Sequence, residues 1–259
     1  MLMVFDIGNT TIGMGVFQGK KLLARWKLKS DTEKTSDEYG IIFCNLLNHE
    51  NLSCQKVKGA IISSVVPPLT PAVQMACQNF FRVRPIVVGP GLKTGVPILY
   101  ENPSEVGSDR IVVAVAAYEK YGGPCLVVDF GTATTFDAIS ARGEYLGGAI
   151  APGIQIAAEA LYLRTAKLPR IEIKKPKSAI GRTTVSSMQS GIYFGYIGLV
   201  SNIIAQISKE LSATPRVVAT GGLAELIAPD IPAINYLEPD LVLEGLRLLY
   251  EKNKRAEKK

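Results

Sequence analysis

Two aspartates end two short apolar runs in the same way. Asp6 follows Leu2–Phe5 and precedes Ile7-Gly8-Asn9-Thr10, and Asp129 follows Val127-Val128 and precedes Phe130-Gly131-Thr132. An acid, a glycine turn and hydroxyl side chains at a strand end bring a carboxylate and several N–H donors to one point. Such a group can hold phosphate oxygens while the carboxylate holds Mg²⁺, directly or through its waters. One copy alone is equally well explained as a hairpin turn, but two copies 123 residues apart favour a duplicated phosphate-binding site.

Carboxylates are also the best candidates for proton transfer. The chain has a single histidine, His49, beside Glu50 at the polar end of an apolar stretch, where we expect a solvated helix end. A histidine-based triad is therefore not expected. Asp109 stands beside Arg110 in the first turns of a predicted helix, and both the helix N-terminus and the guanidinium favour its ionised form. It could orient a hydroxyl nucleophile, although an acid placed only to suit the helix dipole would look the same.

Composition indicates a packed globular protein. The 259 residues are 47% hydrophobic and 20% charged, which is enough for a sizeable core, and the duplication favours two domains. The net charge is +6, but residues 252–259 alone contribute +4 of it. We expect this tail to be solvated and frayed, and because no stretch interleaves basic and aromatic residues, we expect no nucleic-acid partner.

Four cysteines form no Cys-x-x-Cys pair, and no histidine stands at metal-ligand spacing. This usage predicts reduced, mostly buried thiols and a cytoplasmic protein. The chain opens on a strand pattern without the features of a secretory signal. Its longest apolar run, Ile111 to Tyr118, is too short to cross a bilayer, so no membrane partner is expected.

The elements that must position these residues repeat as well. Both halves begin with three short strands and continue with alternating helices and strands, which predicts mixed sheets covered by helices. The expected domains are 1–117 and 118–259. Strands are predicted at 2–5, 12–17, 22–28, 58–65, 85–88, 125–128, 134–140, 145–150 and 216–219, and helices at 37–47, 69–81, 106–121, 153–163, 185–211 and 239–252.

The usual nucleotide fingerprints are missing. Neither Gly-x-x-x-x-Gly-Lys-Ser/Thr nor a correctly placed Gly-x-Gly-x-x-Gly occurs. Instead, the doubled Asp-x-Gly turn, with Thr220-Gly221-Gly222 after a later strand, resembles the acetate and sugar kinase/Hsc70/actin superfamily. The resemblance implies an α/β fold of two duplicated actin-like, ribonuclease H-like domains with the nucleotide in the cleft between them. The Gly-Gly turn would lie against the adenosine.

Within that superfamily, five blocks resemble the signatures of type III pantothenate kinases, in family order and across almost the whole chain. This implies an ATP-dependent transferase that converts pantothenate to 4'-phosphopantothenate, the first step of coenzyme A biosynthesis. It also implies Mg²⁺ with ATP, a monovalent cation (potassium or ammonium) and a homodimer. The blocks are Asp6–Thr10, Gly107–Arg110, Asp129–Thr135, Gly147–Gly153 and Met188–Gly191.

The resemblance implies a role for each matching position. Asp109 would be the base, Asp6 would hold Mg²⁺ and Asp129 the monovalent cation, although symmetry with Asp6 would also allow Mg²⁺ at Asp129. The ATP-binding residues would be Asp6, Ile7, Gly8, Asn9, Thr10, Thr11, Ile12, Gly13 and Thr132. Pantothenate would contact Tyr100, Gly107, Ser108, Asp109, Arg110 and Thr184, with Thr184 supplied by the neighbouring subunit.

Several of these assignments keep alternatives. Arg110 could pair with the substrate carboxylate or only with Asp109. Tyr100 could be a loop aromatic packed on the core, and Thr184 could be the N-cap of a helix that begins at Val185. Ser108 departs from the family, which usually has Ala or Pro there, and Val113 stands where Asn is frequent.

The glycine- and aromatic-rich run 188–198 suggests close helix packing at or near a dimer interface. Other small-molecule kinases of the superfamily, an actin- or Hsc70-like ATPase switch and a non-catalytic nucleotide-binding regulator remain as alternative functions. Asp109 favours a kinase over a switch, because a switch needs no base beside a second substrate pocket.

Overall fold

The computed structural model describes residues 1–211 and 213–256, and its compact parts form two units. The first unit contains Met1–Gly95, Asn102–Ala116 and the C-terminal helix Leu241–Ala256. The second contains Val96–Glu101 and Ala117–Asp240. Within the basic tail, residues 257–259 lie outside the described residues.

The C-terminal helix departs from the expected grouping of 118–259 in one domain. Its apolar stripe is buried in the first unit, where the helix packs against the sheet that opens the chain. Gly245 on this helix lies so close to Val112 that a Cβ would be 2.3 Å from the Val112 carbonyl oxygen. The stripe consists of Leu241, Leu243, Leu246 and Leu249. A helix was predicted here, but periodicity cannot say which sheet it covers.

The first unit is built on a five-stranded mixed sheet. Its strands are β1 (Leu2–Ile7), β2 (Thr11–Gln18), β3 (Lys21–Lys29), β4 (Gly59–Ser64) and β5 (Ile86–Val87), in the spatial order β3-β2-β1-β4-β5. Its helices are α1 (Ser36–His49) and α2 (Leu69–Ala76), which continues as a π-helical turn at Cys77–Phe81, with 3₁₀ turns at Cys54–Lys56 and Pro103–Glu105. Helix α3 (Ser108–Tyr121) begins in this unit, and its residues from 117 onward belong to the second.

The second unit repeats the plan. Its strands are β6 (Cys125–Phe130), β7 (Ala133–Ile139), β8 (Tyr145–Pro152), β9 (Arg216–Thr220) and β10 (Tyr236–Leu237), and its helices are α4 (Ile154–Arg164), α5 (Thr184–Glu210) and α6 (Ala224–Ile227), followed by a 3₁₀ turn at Ala228–Asp230. The C-terminal helix is α7 (Leu241–Ala256).

The two sheets have the same topology. The order β8-β7-β6-β9-β10 matches β3-β2-β1-β4-β5 strand for strand. In each sheet the first strand pairs antiparallel with the second and parallel with the fourth. The predicted duplication of mixed sheets flanked by helices is therefore confirmed. The two-residue strand β10 was not predicted, since two residues show no periodicity.

Each sheet has its own apolar core. In the first unit, rings from the sheet and from α1 meet, and the Phe5 and Phe43 centroids lie 5.0 Å apart. In the second, Phe130 and Phe136 pack with Tyr193 and Tyr196 of α5. These cores fix the central strands, and so fix the positions of the turns at their ends.

The cysteines differ from the sequence prediction. Cys44 of α1 and Cys54 are joined in a disulfide, with Cα atoms 5.8 Å apart, so the expectation of four reduced thiols was wrong for this pair. The end of α1 folds back towards the following 3₁₀ turn, and a spacing of ten residues gives no sign of this in the sequence. Cys77 and Cys125 are buried free thiols, as expected, and burial raises the pKa of each to about 12.

Helix α5 has the length and apolar composition of a membrane span. A search for uninterrupted apolar runs does not detect this helix, because it mixes apolar residues with glycine and serine. Its buried side chains, including Tyr193, Tyr196 and Val200, pack in the core of the second unit. The core helix of a globular protein satisfies the same criteria of length and composition, so this feature is weak evidence for a membrane.

Candidate active site

The first Asp-Gly turn stands at the carboxyl end of β1. Asp6 is paired in register with Gly13 of β2 on one side and with Ser63 of β4 on the other. The Gly8 N–H donates to the Thr11 carbonyl at 3.0 Å and closes the turn. The buried Ile7 and Ile12 anchor it, while Asn9, Thr10 and Thr11 are exposed. An exposed glycine turn with hydroxyl side chains suits a phosphate-binding loop.

The block around Asp109 reaches the same strand ends. Ser108 is the first residue of α3, and its Oγ lies 2.9 Å from the Oγ of Ser63, the residue that pairs with Asp6. It also accepts from the Ser64 N–H at 3.1 Å. Two sequence blocks about a hundred residues apart are thus brought together at the carboxyl ends of β1 and β4. Ser63 and Ser64 had not been predicted as site residues, because two serines ending a buried strand carry no motif.

The Ser108 hydroxyl is fully used within the protein. Besides its contacts with Ser63 and the Ser64 N–H, it lies 3.2 Å from the Ser64 carbonyl, to which it can donate. A serine hydroxyl has one donor and two acceptor positions, so these three bonds occupy all of them. Ser108 therefore ties the start of α3 to β4.

Asp109 lies in the first turn of α3 and is half-buried. Its Oδ1 accepts from the Arg110 N–H at 2.8 Å. Burial raises the pKa of Asp109, and it outweighs the backbone N–H and the charge of Arg110, which both lower it. The expectation that the helix end and Arg110 decide its ionisation was therefore wrong, since desolvation is the larger effect. A raised pKa makes the carboxylate a stronger base.

Gly107 sets the space around this carboxylate. A Cβ at Gly107 would lie 2.5 Å from the Asp109 Oδ1. Its carbonyl accepts from the Arg110 N–H at 3.1 Å, so Gly107 is also the start of the helical bonding. The Arg110 side chain is buried.

The second Asp-Gly turn repeats these relations in the second unit. Asp129 of β6 pairs with Thr135 of β7 and with Thr220 of β9. Gly221 follows at φ +96°, and a Cβ there would lie 2.3 Å from the Asp129 Oδ1. The structure thus brings the predicted adenosine turn directly against Asp129.

Thr132 continues this second turn and is exposed. Its carbonyl would lie 2.2 Å from a Cβ on Gly153, which precedes α4. The neighbouring Thr134 is buried and hydrogen-bonds the Tyr196 hydroxyl. The pKa of Tyr196 is raised, mainly by burial and in smaller part by the negative charge of Asp129. Tyr196 of α5 thus supports the second turn through its bond to Thr134.

Of the remaining predicted residues, Tyr100 and Thr184 lie elsewhere in the second unit and His49 lies in the first. Tyr100 lies over Gly147, where a Cβ would be 3.1 Å from its ring. Thr183, not Thr184, is the N-cap of α5: its Oγ1 accepts from the Ser186 N–H at 3.1 Å. The alternative that Thr184 caps the helix is therefore wrong. Thr184 is the first helical residue and is exposed. His49 ends α1 and is exposed, as predicted.

The carboxylates of Asp6 and Asp129 suit a cation that is also bound by the phosphates of a nucleotide. Within residues 1–211 and 213–256, no three His, Cys, Asp or Glu side chains converge into a metal-binding group. Asp6 and Asp129 instead offer single carboxylates, each beside a turn with backbone N–H groups. Mg²⁺ in phosphoryl-transfer enzymes is commonly held by one or two carboxylates, the substrate phosphates and water, so an isolated aspartate suits it.

Comparison with known proteins identifies the family. The family model for type III pantothenate kinase matches residues 2–206. The chain belongs to the type III pantothenate kinase family. A type III pantothenate kinase from Pelobacter propionicus is 54% identical over 254 residues, which cover 98% of this chain and 100% of that protein. As a member of this family the chain is a kinase, in agreement with the five signature blocks.

Solved structures show the same fold at much lower identity. A Campylobacter jejuni protein assigned to the Baf family of transcriptional activators superposes with a TM-score of 0.62 at 19% identity, covering 98% of this chain and 99% of that one. A Porphyromonas gingivalis protein assigned as an N-acetylglucosamine kinase gives a TM-score of 0.50 at 12% identity, covering 98% and 100%. At such identities the likeness concerns the fold alone, and it agrees with the duplicated actin-like architecture.

We expect Gly107→Ala to lower turnover, because the new methyl group must displace the Asp109 carboxylate. The expected loss in kcat is about 10-fold or more, as for a misplaced catalytic group. Gly89→Ala is the matched control, since a Cβ there meets no atom within 4 Å. Steady-state rates and thermal melting of both variants check the prediction, and a folded Gly107→Ala enzyme with normal kcat would contradict it.

Proposed function

We propose that this chain phosphorylates the primary hydroxyl of pantothenate with ATP, with Asp109 as the base that accepts the hydroxyl proton. The carrying observation is that the Asp6 and Asp109 blocks meet through Ser63 and Ser108 at the ends of β1 and β4. The chain is an ATP-dependent pantothenate kinase of coenzyme A biosynthesis by its family. What the proposal adds is which of its residues do the chemistry.

The turn that carries Asp6 would hold the phosphates of ATP. Its exposed Asn9, Thr10 and Thr11 offer side-chain donors, and Gly8 lets the backbone turn tightly. We assign Ile7, Ile12 and Gly13 to the same loop as its anchors. Mg²⁺ would neutralise charge on the transferring phosphoryl group, and phosphoryl transfer asks the protein mainly for positioning and electrostatic stabilisation. Asp6 would orient the ion and its waters.

Asp109 is supported as the base by its environment. Burial raises its pKa, and the Arg110 N–H fixes one of its oxygens. The second oxygen would accept the hydrogen bond of the pantothenate hydroxyl and hold it for attack. We propose that Gly107 shapes this pocket, that Ser108 acts by anchoring the helix, and that Arg110 and Tyr100 contribute to pantothenate binding.

We assign Asp129 to a monovalent cation, potassium or ammonium, and Thr132 to ATP. Gly221 approaches the Asp129 carboxylate closely. A weakly hydrated monovalent ion would suit such a close backbone setting, whereas Mg²⁺ sheds its water shell reluctantly. We place the enzyme in the cytoplasm, where ATP is available; the cysteine pattern no longer supports this location.

A homodimer is proposed on the exposed side of α5. Gly191, Gly195 and Gly198 have nothing within 4 Å of an added Cβ, so this glycine face packs against no element of its own chain among the described residues. Phe194 and Leu199 are exposed beside it, at 40% and 36%. A partner helix would cover this face, and Thr184 at the start of α5 would then reach the pantothenate of the neighbouring subunit.

Asp109→Asn should leave ATP binding nearly intact and lower kcat by roughly 10²-fold to 10⁴-fold, the usual contribution of a general base. The pH profile gives a second readout. Because the pKa of Asp109 is raised, the base is lost by protonation at a higher pH than for an exposed aspartate of pKa about 3.9. Wild-type kcat/KM for pantothenate should therefore fall on the acid side, and Asp109→Asn should lack that limb. Near-normal turnover of the variant would exclude Asp109 as the base.

Asp6 and Asp129 should respond differently to salt. Asp6→Ala should weaken the use of Mg-ATP in every salt, whereas Asp129→Ala should abolish stimulation by potassium or ammonium over sodium. Rates measured in the three chlorides at equal ionic strength check this. If the wild-type enzyme is equally active in sodium, the cation role of Asp129 is wrong.

Subunit mixing tests the shared pocket. An Asp109→Ala chain is mixed with a Thr184 variant whose own homodimer is inactive through loss of pantothenate binding. In a heterodimer one site carries both defects and the other carries neither, so one site in two should regain activity. No recovery, in heterodimers shown to form by tagged co-purification, would mean that each pocket is built within a single chain.

A further inference from the structure

A fully buried carboxylate in the second unit is left without a role by the proposed chemistry. Asp137 lies in the middle of β7, outside all five signature blocks, and its side chain is inaccessible to solvent. Within residues 1–211 and 213–256 it is the one acid in the buried class. Burying a carboxylate is costly unless it is fully hydrogen-bonded, so its partners indicate what it is for.

Asp137 holds the neighbouring tyrosine. The hydroxyl of Tyr145, itself fully buried on β8, donates to the Asp137 Oδ1 at 2.8 Å. The Thr135 hydroxyl donates to the other oxygen, Oδ2, at 3.0 Å. The hydrogen bond from Tyr145 lies in the buried interior, where it is shielded from water. The Tyr145 ring is thus fixed at its far end as well as at its backbone.

The backbone of Tyr145 holds the segment that carries Tyr100. The Tyr145 N–H donates to the Pro97 carbonyl at 2.8 Å, and the Leu99 N–H donates to the Tyr145 carbonyl at 2.8 Å. Ile98 forms a parallel bridge with Tyr145. Residues 97–99 therefore run beside β8 as a short added strand, and Tyr145 is its point of attachment.

Tyr100 directly follows this added strand, and its ring lies against β8. The ring centroids of Tyr100 and Tyr145 lie 6.5 Å apart at an interplanar angle of 45°. The Tyr100 ring also lies over Gly147, where a Cβ would be 3.1 Å from its Cε2. Gly147 has φ +108°, a conformation that favours glycine, so the strand at this point leaves room for the ring.

We propose that Asp137, acting through Tyr145, is a positioning residue that holds Tyr100 in place for pantothenate. The chain of contacts runs from Asp137 to the Tyr145 hydroxyl, from the Tyr145 backbone to residues 97–99, and from the Tyr145 ring to that of Tyr100. The inference rests on the proposed role of Tyr100 in pantothenate binding. It concerns binding of the acceptor and leaves the ATP turns untouched.

Tyr145→Phe is the first test. It removes one donor from Asp137 and frees the far end of the ring, so the KM for pantothenate should rise about 10-fold, the scale of one lost buried hydrogen bond. The KM for ATP and kcat at saturating pantothenate should change less than about 3-fold, within the context-dependence of such effects. Tyr162→Phe is the matched control, because Tyr162 is an exposed tyrosine of the same unit. A general loss of folding would instead affect both substrates.

A conservative variant of Asp137 and a double variant with Tyr100→Ala distinguish a positioning role from a loss of core packing. Asp137→Asn keeps an oxygen to accept from Tyr145 and can donate to Thr135, so its pantothenate KM should stay near wild type, whereas Asp137→Ala should match Tyr145→Phe. Tyr145→Phe added to Tyr100→Ala should cause no further rise, since the residue acts through Tyr100. If Tyr145→Phe folds poorly, Thr135→Val tests the same link with an expected rise of about 3-fold.

The outcomes distinguish this inference from the proposed function. If Tyr100→Ala leaves the pantothenate KM unchanged, the role of Tyr100 is wrong and the inference falls with it. If Tyr100→Ala raises that KM but Tyr145→Phe and Thr135→Val do not, only the inference is overturned. Additive effects of Tyr100→Ala and Tyr145→Phe would also overturn it.

Discussion

The pairing of two parallel strands at the centre of each sheet is the constraint on which both candidate sites depend. In the first unit, β1 and β4 run in a register that sets Asp6 beside Ser63. In the second, β6 and β9 set Asp129 beside Thr220. A shift of one residue would turn each aspartate to the other face of its sheet, so the buried residues on either side of it also fix where it points. The apolar cores thereby fix which side chains stand together at the strand ends.

The two aspartates have different neighbours at their strand ends, although the two sheets have the same topology. In the strand register, Ser63 stands beside Asp6, and Ser63 is bonded to the start of the helix that bears Asp109. Beside Asp129, the Gly221 backbone closes in directly, and Thr134 is tied to Tyr196 below. The first unit therefore brings the block that carries Asp109 to its strand ends, whereas the second brings a tight backbone turn. The two halves of a duplicated fold can differ in this way because the loops after the strands vary while the strand pairing is retained.

Most of the architecture could be predicted from the sequence, because apolar periodicity and turn residues report local structure directly. The repeated strands, the α3 and α5 helices and the exposed His49 follow from such patterns. Long-range contacts cannot be predicted from such patterns. The sequence predicts helix α7 but not the sheet that it covers. The approach of Cys44 to Cys54 depends on how α1 ends. The alternative that Thr184 caps α5 is wrong by one position, since Thr183 and Thr184 are chemically alike.

The candidate site divides in the same way. Motif residues such as Asp6, Asp109 and Asp129 could be named, since acids beside glycine turns carry a chemical signal. Residues such as Ser63, Asp137 and Tyr145 could not, because their contacts arise only when strands pair: Ser63 meets Ser108, and Asp137 accepts from Tyr145. The sign of the pKa shift of Asp109 illustrates the difference. Its neighbours in sequence predicted a lowered value, while the solvent removed by folding raises it. Sequence reports which charges are near along the chain, and the fold decides how much water remains around them, which for Asp109 is the larger influence on its pKa.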